Sequence, residues 1–489
     1  MTRSEIAFRF RGKDVALKGF APDRTLLDWL REEAHAKGTK EGCAEGDCGA
    51  CTVVLCRPAN GGLTYAPVNA CILLLGQIDG AELLTVEDLA QGETLHPVQQ
   101  AMVDHHGSQC GFCTPGIVMS LFALYHEGAA TRESVNAALS GNLCRCTGYR
   151  PIFDAAEAAI TGAPADRFAA ATAERLAAIE ALPDGDVFVG DDSRFFAAPA
   201  SEASLAALYA AHPDATLLGG ATDVGLWVTK RMMRLNKIIW LGRVAHLDFH
   251  YQDESHLVLG AGMKLAEAEP LLREVHPDLG RLMARFGSAQ VRASGTVGGN
   301  IANGSPIGDL APALIVMETI LVLRAGPLEV GEDNGRYMPL EDFFLAYGKQ
   351  DRRPSEYVYA VSIPRLEPNQ VYHAYKVSKR FDEDISAVMG AFRFDLDGRR
   401  VTAARVAYGG MAATPKRASA CEAALVGVDL DQPATWDAAI AAIAADFQPL
   451  TDMRASAGYR SQVAANLIRR ALLETAGTAA NLGDLLAAE

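Results

Sequence analysis

Nine of the ten cysteines lie before residue 147, and only Cys421 lies beyond. No other feature constrains the chain as much, because it divides the chain chemically: sulfur in the first third, glycine loops and alanine-rich helices in the rest. A length of 489 residues accommodates about three or four domains at roughly 100–200 residues each. Hydrophobic residues at 49% and charged residues at 21% are ordinary globular proportions, which exclude wholesale disorder and a disulfide-knot peptide. The net charge of −15 argues against nucleic acid and anionic lipid as partners. The longest apolar stretches, Cys71–Leu75 and Ala311–Leu323, fall short of the about 20 residues that a membrane span needs. Met1–Phe10 lacks a secretory apolar region. The expected location is therefore cytoplasmic, where thiols stay reduced and cysteines are read as metal ligands or reactive groups before disulfides.

Ile6–Leu17 alternates apolar and polar residues about a turn at Arg11–Asp14, which predicts a hairpin, and Thr25–Ala34 has helical spacing. Cys43, Cys48, Cys51 and, after nineteen intervening residues, Cys71 then follow as C-x4-C-x2-C…C. This is the plant-type ferredoxin spacing for a 2Fe-2S cluster: a tight loop aims three thiolates at one face, and Gly42, Gly46 and Gly49 permit the close approach. A structural zinc site is the competing reading, although zinc favours paired short knuckles. Cys56 falls outside the pattern and reads as a buried strand cysteine.

Cys110 and Cys113 precede Thr114-Pro115-Gly116, and Cys144 and Cys146 precede Tyr149-Arg150-Pro151. Each pair stands at a predicted helix start. Packed side by side, the two starts would turn free amides toward one anionic cluster. Taken alone, C-x2-C…C-x-C also suits a four-cysteine zinc site; the neighbouring ferredoxin-type loop favours a second 2Fe-2S cluster. Further on, Thr216–Gly225 (TLLGGATDVG) brings a short strand into a glycine turn, and Phe286–Leu310 carries six glycines in 25 residues. Such density suits backbone wrapped round a pyrophosphate, or simply structural turns. The dinucleotide fingerprint G-x-G-x-x-G fails, since Gly260-Ala-Gly262 continues Met-Lys-Leu-Ala.

The strings KEGCAEGDCGACT, HGSQCGFCTPG and GNLCRCTGYRPI, in this order, resemble the molybdenum hydroxylases, the family of xanthine dehydrogenases and aldehyde oxidases. The two glycine strings and Tyr408–Ala412 extend the resemblance past residue 410. It implies an α+β multidomain chain: a β-grasp ferredoxin-like domain over 1–78, a helical-bundle 2Fe-2S domain over 79–162, a vanillyl-alcohol-oxidase-like FAD domain over 187–367 and an α/β C-terminal domain over 368–489. Between the second and third of these, 163–186, alanine-rich, charged and bounded by Pro-Asp-Gly, reads from its composition as a surface linker with a helical piece. By the same match Leu217, Leu218, Gly219, Gly220, Ala221, Thr222, Asp223 and Val224 would follow the pyrophosphate and adenosine side of FAD. Thr296, Asn300, Asn303 and Asp309 would line the cofactor, Phe286 and Val358 would pack the adenine, and Lys376 would stand near the isoalloxazine. The competing reading of Lys376 is an exposed strand lysine. The mixed-charge Ser378–Ile385 segment either gates access of NAD to the flavin, as its counterpart does in the family, or is a solvated loop.

A molybdenum-pterin domain would need several hundred residues beyond Glu489. The resemblance therefore implies a large molybdenum-binding partner chain, in a heterotetramer of two small and two large chains. Electrons would pass from that centre through the two clusters to FAD and on to NAD, as hypoxanthine or xanthine is oxidised to urate. No substrate-hydroxylating residue is expected in this chain. The alternatives are the equivalent subunit of an enzyme oxidising aldehydes or other N-heterocycles, and a non-catalytic zinc-stabilised scaffold or redox sensor.

Overall fold

The computed structural model describes residues 2–128, 130–326 and 335–478; the end of the expected C-terminal domain, 479–489, lies outside them. Ile6–Phe10 and Lys13–Leu17 pair antiparallel with Phe10 opposite Lys13, so the turn is Arg11-Gly12, with φ of 53° and 70°. Two positive φ values give a hairpin turn whose twist matches that of the strands. The sheet runs in the order 13–17, 6–10, 82–84, 52–59, 62–69, with Ile6–Phe10 and Glu82–Leu84 parallel. Helix Leu26–Glu32, capped by the Thr25 hydroxyl, buries Leu26, Leu27, Trp29 and Leu30 in the core of this sheet.

The second unit is helical. Thr114–Glu127 is buried along most of its length, and Pro97–Asp104, Arg132–Leu139 and Arg150–Ala159 contribute to the same core. Pro115 and Pro151 stand in the first turns of their helices, where the missing N–H costs nothing.

The 163–186 stretch has the expected helical piece, in Arg167–Ala170 and Thr172–Glu180, but it is more than a surface linker, since it buries Phe168, Ile179 and Leu182 in the helical core. Arg175, 8% exposed, places Nη2 2.7 Å from the buried Glu82 carboxylate of the first sheet. The alanine-rich background hid these anchors, and the stretch is a strap across the first two units. Asp166 accepts hydrogen bonds from the Nε2 of His96 (2.8 Å) and of His126 (3.2 Å). Burial would raise the Asp166 carboxyl, but the bonds from His126 and His96 win and hold it below its ordinary range. Burial holds His126 below its ordinary 6.5.

As pH falls through about 6.5, unfolded chain takes up a proton that folded His126 refuses, so the strap loses stability on acidification. Asp166 adds a further loss below about 3.9, where the unfolded carboxylate protonates first. Proteolytic release of 163–186 should therefore accelerate from pH 7 to about 5.5, and His126→Gln should flatten that dependence. A rate independent of pH in the unaltered chain would refute this account.

The third unit has a four-stranded sheet in the order 187–191, 194–198, 237–240, 216–218 and a five-stranded antiparallel one in the order 250–252, 256–260, 357–364, 320–324, 336–339. Phe195, Ile239, Tyr357 and Tyr359 share one apolar cluster between them. The last unit is a four-stranded antiparallel sheet, 370–377, 388–397, 400–409 and 416–417, packed with helices Ser419–Leu425, Trp436–Asp446 and Ala457–Thr475. Its Tyr372, Met389, Ala391 and Ala407 also join the core of the third unit. Among the described residues no helix is long and apolar enough to cross a membrane.

Candidate functional site

The 42–51 loop folds back on itself, and the Cys48 amide donates to Cys43 Sγ at 3.4 Å. The Cys43 thiol is hydrogen-bonded to those of Cys48 and Cys71, and Cys71 also to Cys51, so all four sulfurs meet. The bonds from Cys48 and Cys71 hold Cys43 far below the ordinary thiol range, and the same bonds raise Cys48 and Cys71. Gly49 has φ 67° and lies so close to the second unit that a Cβ there would stand 2.1 Å from the Gly141 carbonyl oxygen. Cys56 is fully buried on its strand and apart from this set; burial pushes its thiol up to about 12.

In the second set Cys113 is the N-cap of Thr114–Glu127 with no side-chain cap bond, which leaves first-turn amides open. The thiols meet in two pairs, Cys110 with Cys146 and Cys113 with Cys144. Burial and the bond to Cys144 push Cys113 up to about 12. Cys144 is lowered: burial opposes this, but the Thr147 hydroxyl at 3.0 Å and nearby amides outweigh it. Cys110 and Cys146 are exposed, while Cys51 and Cys71 of the first set are buried. Both donor sets fit a binuclear group, which takes two thiolates per iron. Among the described residues no three Cys, His, Asp or Glu side chains are placed to hold a single metal ion.

The two glycine strings meet. Thr216–Leu218 leads into Gly219-Gly220-Ala221, with Ala221 at φ 63°. A Cβ on Gly220 would lie 2.0 Å from the Ser294 carbonyl oxygen, so only glycine lets the strings run backbone against backbone. Thr296 caps Val297–Asn303, its hydroxyl accepting from the Gly299 amide at 3.0 Å. Asp223 hydrogen-bonds Asn303, and the protein crowded round its carboxyl raises it. Such a glycine-lined turn fits a pyrophosphate-bearing cofactor.

Leu218 is buried, and Val224 packs against the core of the first unit. Asn300 is half-buried in the Val297–Asn303 helix. Val358 is buried on the Tyr357–Pro364 strand, and Phe286 packs on the core that contains it. Next to Phe286, Arg285 donates to the Lys376 carbonyl at 3.2 Å. Lys376 is not an exposed strand lysine. Its ammonium pairs with Asp309, both side chains being 3% exposed, and Ser386 donates to the same carboxylate.

The flavin strings also touch the first cysteine set. Gln77 Nε2 donates to the Gly219 carbonyl at 3.2 Å, Lys230 donates to the Cys43 carbonyl, and Gly225 abuts the Ile72 carbonyl, beside Cys71. In the Ser378–Ile385 segment Arg380 lies between Asp384 (3.3 Å) and Asp47 (3.7 Å) of the first cysteine loop, while Phe381 and Ile385 are exposed. Sequence reasoning missed Ser386, Gln77 and the buried amides Asn142 and Gln290; only the position of Asn142 within GNLCRC and of Gln290 within FGSAQVR hinted at them.

Four family models match in succession: the 2Fe-2S iron-sulfur cluster binding domain over 9–74, the 2Fe-2S binding domain over 85–157, the FAD binding domain in molybdopterin dehydrogenase over 192–366, and the CO dehydrogenase flavoprotein C-terminal domain over 373–475. Together with the paired thiols and the glycine turn they define an iron–sulfur flavoprotein, built as an electron-transfer unit. The xanthine dehydrogenase of Emericella nidulans is 32% identical over 90% of this chain and 36% of its own length. That of Drosophila subobscura is 31% identical over 88% and 36%, and the xanthine dehydrogenase/oxidase of Rattus norvegicus 31% over 84% and 34%. The chain thus spans about a third of the length of the curated relatives it matches. Among solved structures, a carbon monoxide dehydrogenase from Hydrogenophaga pseudoflava is 27% identical with a TM-score of 0.53, covering 58% of this chain and 98% of the other. The chain belongs to the molybdenum hydroxylase family.

Proposed function

We propose that this chain is the small, electron-carrying subunit of a cytoplasmic xanthine dehydrogenase, assembled with a large molybdenum-pterin subunit as two small and two large chains. Cys43, Cys48, Cys51 and Cys71 hold one 2Fe-2S cluster, and Cys110, Cys113, Cys144 and Cys146 the other. Residues 217–224 with Thr296, Asn300, Asn303 and Asp309 cradle FAD, Phe286 and Val358 pack it, and Lys376 with Asp309 forms its buried polar floor. Domain boundaries after residues 78, 162, 186 and 367 separate these tasks. The clusters supply one-electron steps, and FAD supplies the exchange of an electron pair with NAD. The chain's own work is placement: it buries Cys51 and Cys71 of one thiol set, exposes Cys110 and Cys146 of the other, and packs the first set's unit against the flavin turn.

One observation carries this reading: the unit that holds the first thiol set and the glycine cradle are in direct contact, Gln77 Nε2 donating to the Gly219 carbonyl at 3.2 Å. Resemblance to three xanthine dehydrogenases supports the substrate. The isolated, flavin-loaded chain should oxidise NADH with an artificial acceptor and ignore xanthine, and xanthine turnover should appear when the molybdenum subunit is added. Failure to oxidise NADH removes NAD from the scheme. Xanthine turnover by the chain alone removes the division between subunits, and a complex that oxidises an aldehyde or another N-heterocycle but not xanthine moves the substrate.

A further inference from the structure

We propose that Asn142 is a positioning residue that holds the two cysteine sets at a fixed separation; this rests on the cluster reading above. Asn142 is 1% exposed, and its carboxamide makes four hydrogen bonds, the full capacity of the group. Nδ2 donates to the Gly49 carbonyl (3.2 Å) and to Thr52 Oγ1 (3.4 Å); Oδ1 accepts from Ser120 Oγ (2.7 Å) and Gln290 Nε2 (3.0 Å). Gly49 and Thr52 flank Cys48 and Cys51. Ser120 belongs to the helix that Cys113 caps, and Gln290 belongs to the second glycine string. One side chain therefore ties both cysteine sets and the flavin region together, and Gln290 repeats the tie by donating to Thr52 Oγ1 (3.2 Å) and Ser120 Oγ (3.1 Å).

The surroundings leave Asn142 little slack. Cβ atoms on Gly49 and Gly116 would lie 2.1 Å and 2.0 Å from the carbonyl oxygens of Gly141 and Gly49, so the loops are packed backbone on backbone. The Leu143 amide donates to the Cys48 carbonyl at 3.0 Å, joining a cysteine of the first set to the residue before Cys144. The Tyr149 hydroxyl donates to the Asn142 carbonyl at 3.1 Å and accepts from the Cys144 amide at 2.7 Å. Tyr149 itself sits at φ 68°, a region that a bulky residue occupies only when its surroundings require it. The placement of Asn142 is thus handed directly to Cys144. Asn142 is no cysteine ligand, and it acts through the loops that carry the cysteines.

The separation of two reduced clusters is read by the splitting of their low-temperature EPR signals, which falls with the cube of distance for dipolar coupling. The test uses the full chain loaded with iron and FAD, fully reduced with dithionite and frozen. Asn142→Ala should keep the iron content and the spin count of the unaltered protein but narrow the splitting. Gln290→Met removes the bonds that Gln290 adds to Thr52, Ser120 and Asn142 but leaves those from Asn142 to Gly49, Thr52 and Ser120 in place, and should narrow the splitting less than Asn142→Ala. An unchanged splitting in Asn142→Ala, or equal narrowing in Gln290→Met, would overturn the proposal. Should Asn142→Ala fail to accumulate, the milder Asn142→Ser is read by the same criterion. Absence of two iron signals in the unaltered protein would instead refute the cluster reading, and that is seen before any variant is made.

Discussion

Cys144→Ser is expected to lower the iron content from about four to about two per chain and to abolish one of two iron EPR signals while flavin absorbance persists. Cys144 shares its thiol contact with Cys113, so its loss breaks one of the two pairs that the helical set offers. A serine hydroxyl is a poor substitute, because a cluster iron needs a thiolate. The first set stays intact: its four sulfurs come from another sheet-based core, and the flavin turn rests on that core through Gln77 and Val224. The chain should fold, since Cys144 is half-buried and its loop is held by the Tyr149 hydroxyl and the Leu143 amide. Under the proposed subunit arrangement, transfer from the molybdenum subunit to the flavin should fall to background, whereas NADH oxidation with an artificial acceptor should persist. Loss of both signals would mean that the two sets assemble as one unit, and zinc in place of the missing iron would point to a structural site.

The cysteine arithmetic was legible because spacing is itself geometry. A C-x4-C-x2-C loop has few ways to fold, and prolines after Cys113 and Tyr149 mark helix starts that the structure places at Thr114 and Arg150. The meeting of the two glycine strings was legible in part: density of glycine announces close approach, but not which backbone is approached, and the contact of Gly220 with Ser294 joins residues far apart in the chain. The 163–186 strap was misread because alanine dominates it, and its binding depends on a few residues such as Phe168 and Arg175 whose partners lie in other domains. Asn142 and Gln290 were illegible for a related reason. A buried amide draws its role from acceptors and donors supplied by three distant segments, and its place within a motif marks the residue but not those partners.

Lys376 shows how burial changes the meaning of a residue that sequence alone leaves ambiguous. Its ammonium and the Asp309 carboxylate are both 3% exposed, so neither charge is screened by water and each depends on the other. Lys376→Met would leave Asp309 with the Ser386 hydroxyl and no paired cation, Arg285 acting on it only through space. Breaking a buried pair in this way costs about 3–5 kcal/mol, which should show as early unfolding of the flavin and C-terminal units, whose cores are joined through Tyr372 and Met389. FAD retention should fall with it, because Asp309 precedes the Leu310–Ile315 helix beside the cradle. Iron content should not change, since neither cysteine set touches the pair. Asp309→Asn combined with Lys376→Met removes both charges and should recover most of the stability, the recovery being the coupling that a double-mutant cycle measures. Calorimetry and flavin fluorescence of the four proteins decide the matter: a Lys376→Met chain within about 0.5 kcal/mol of the unaltered one, the range of an ordinary surface substitution, would mean that the pair is hydrated in solution and contributes no buried charge to the flavin's surroundings.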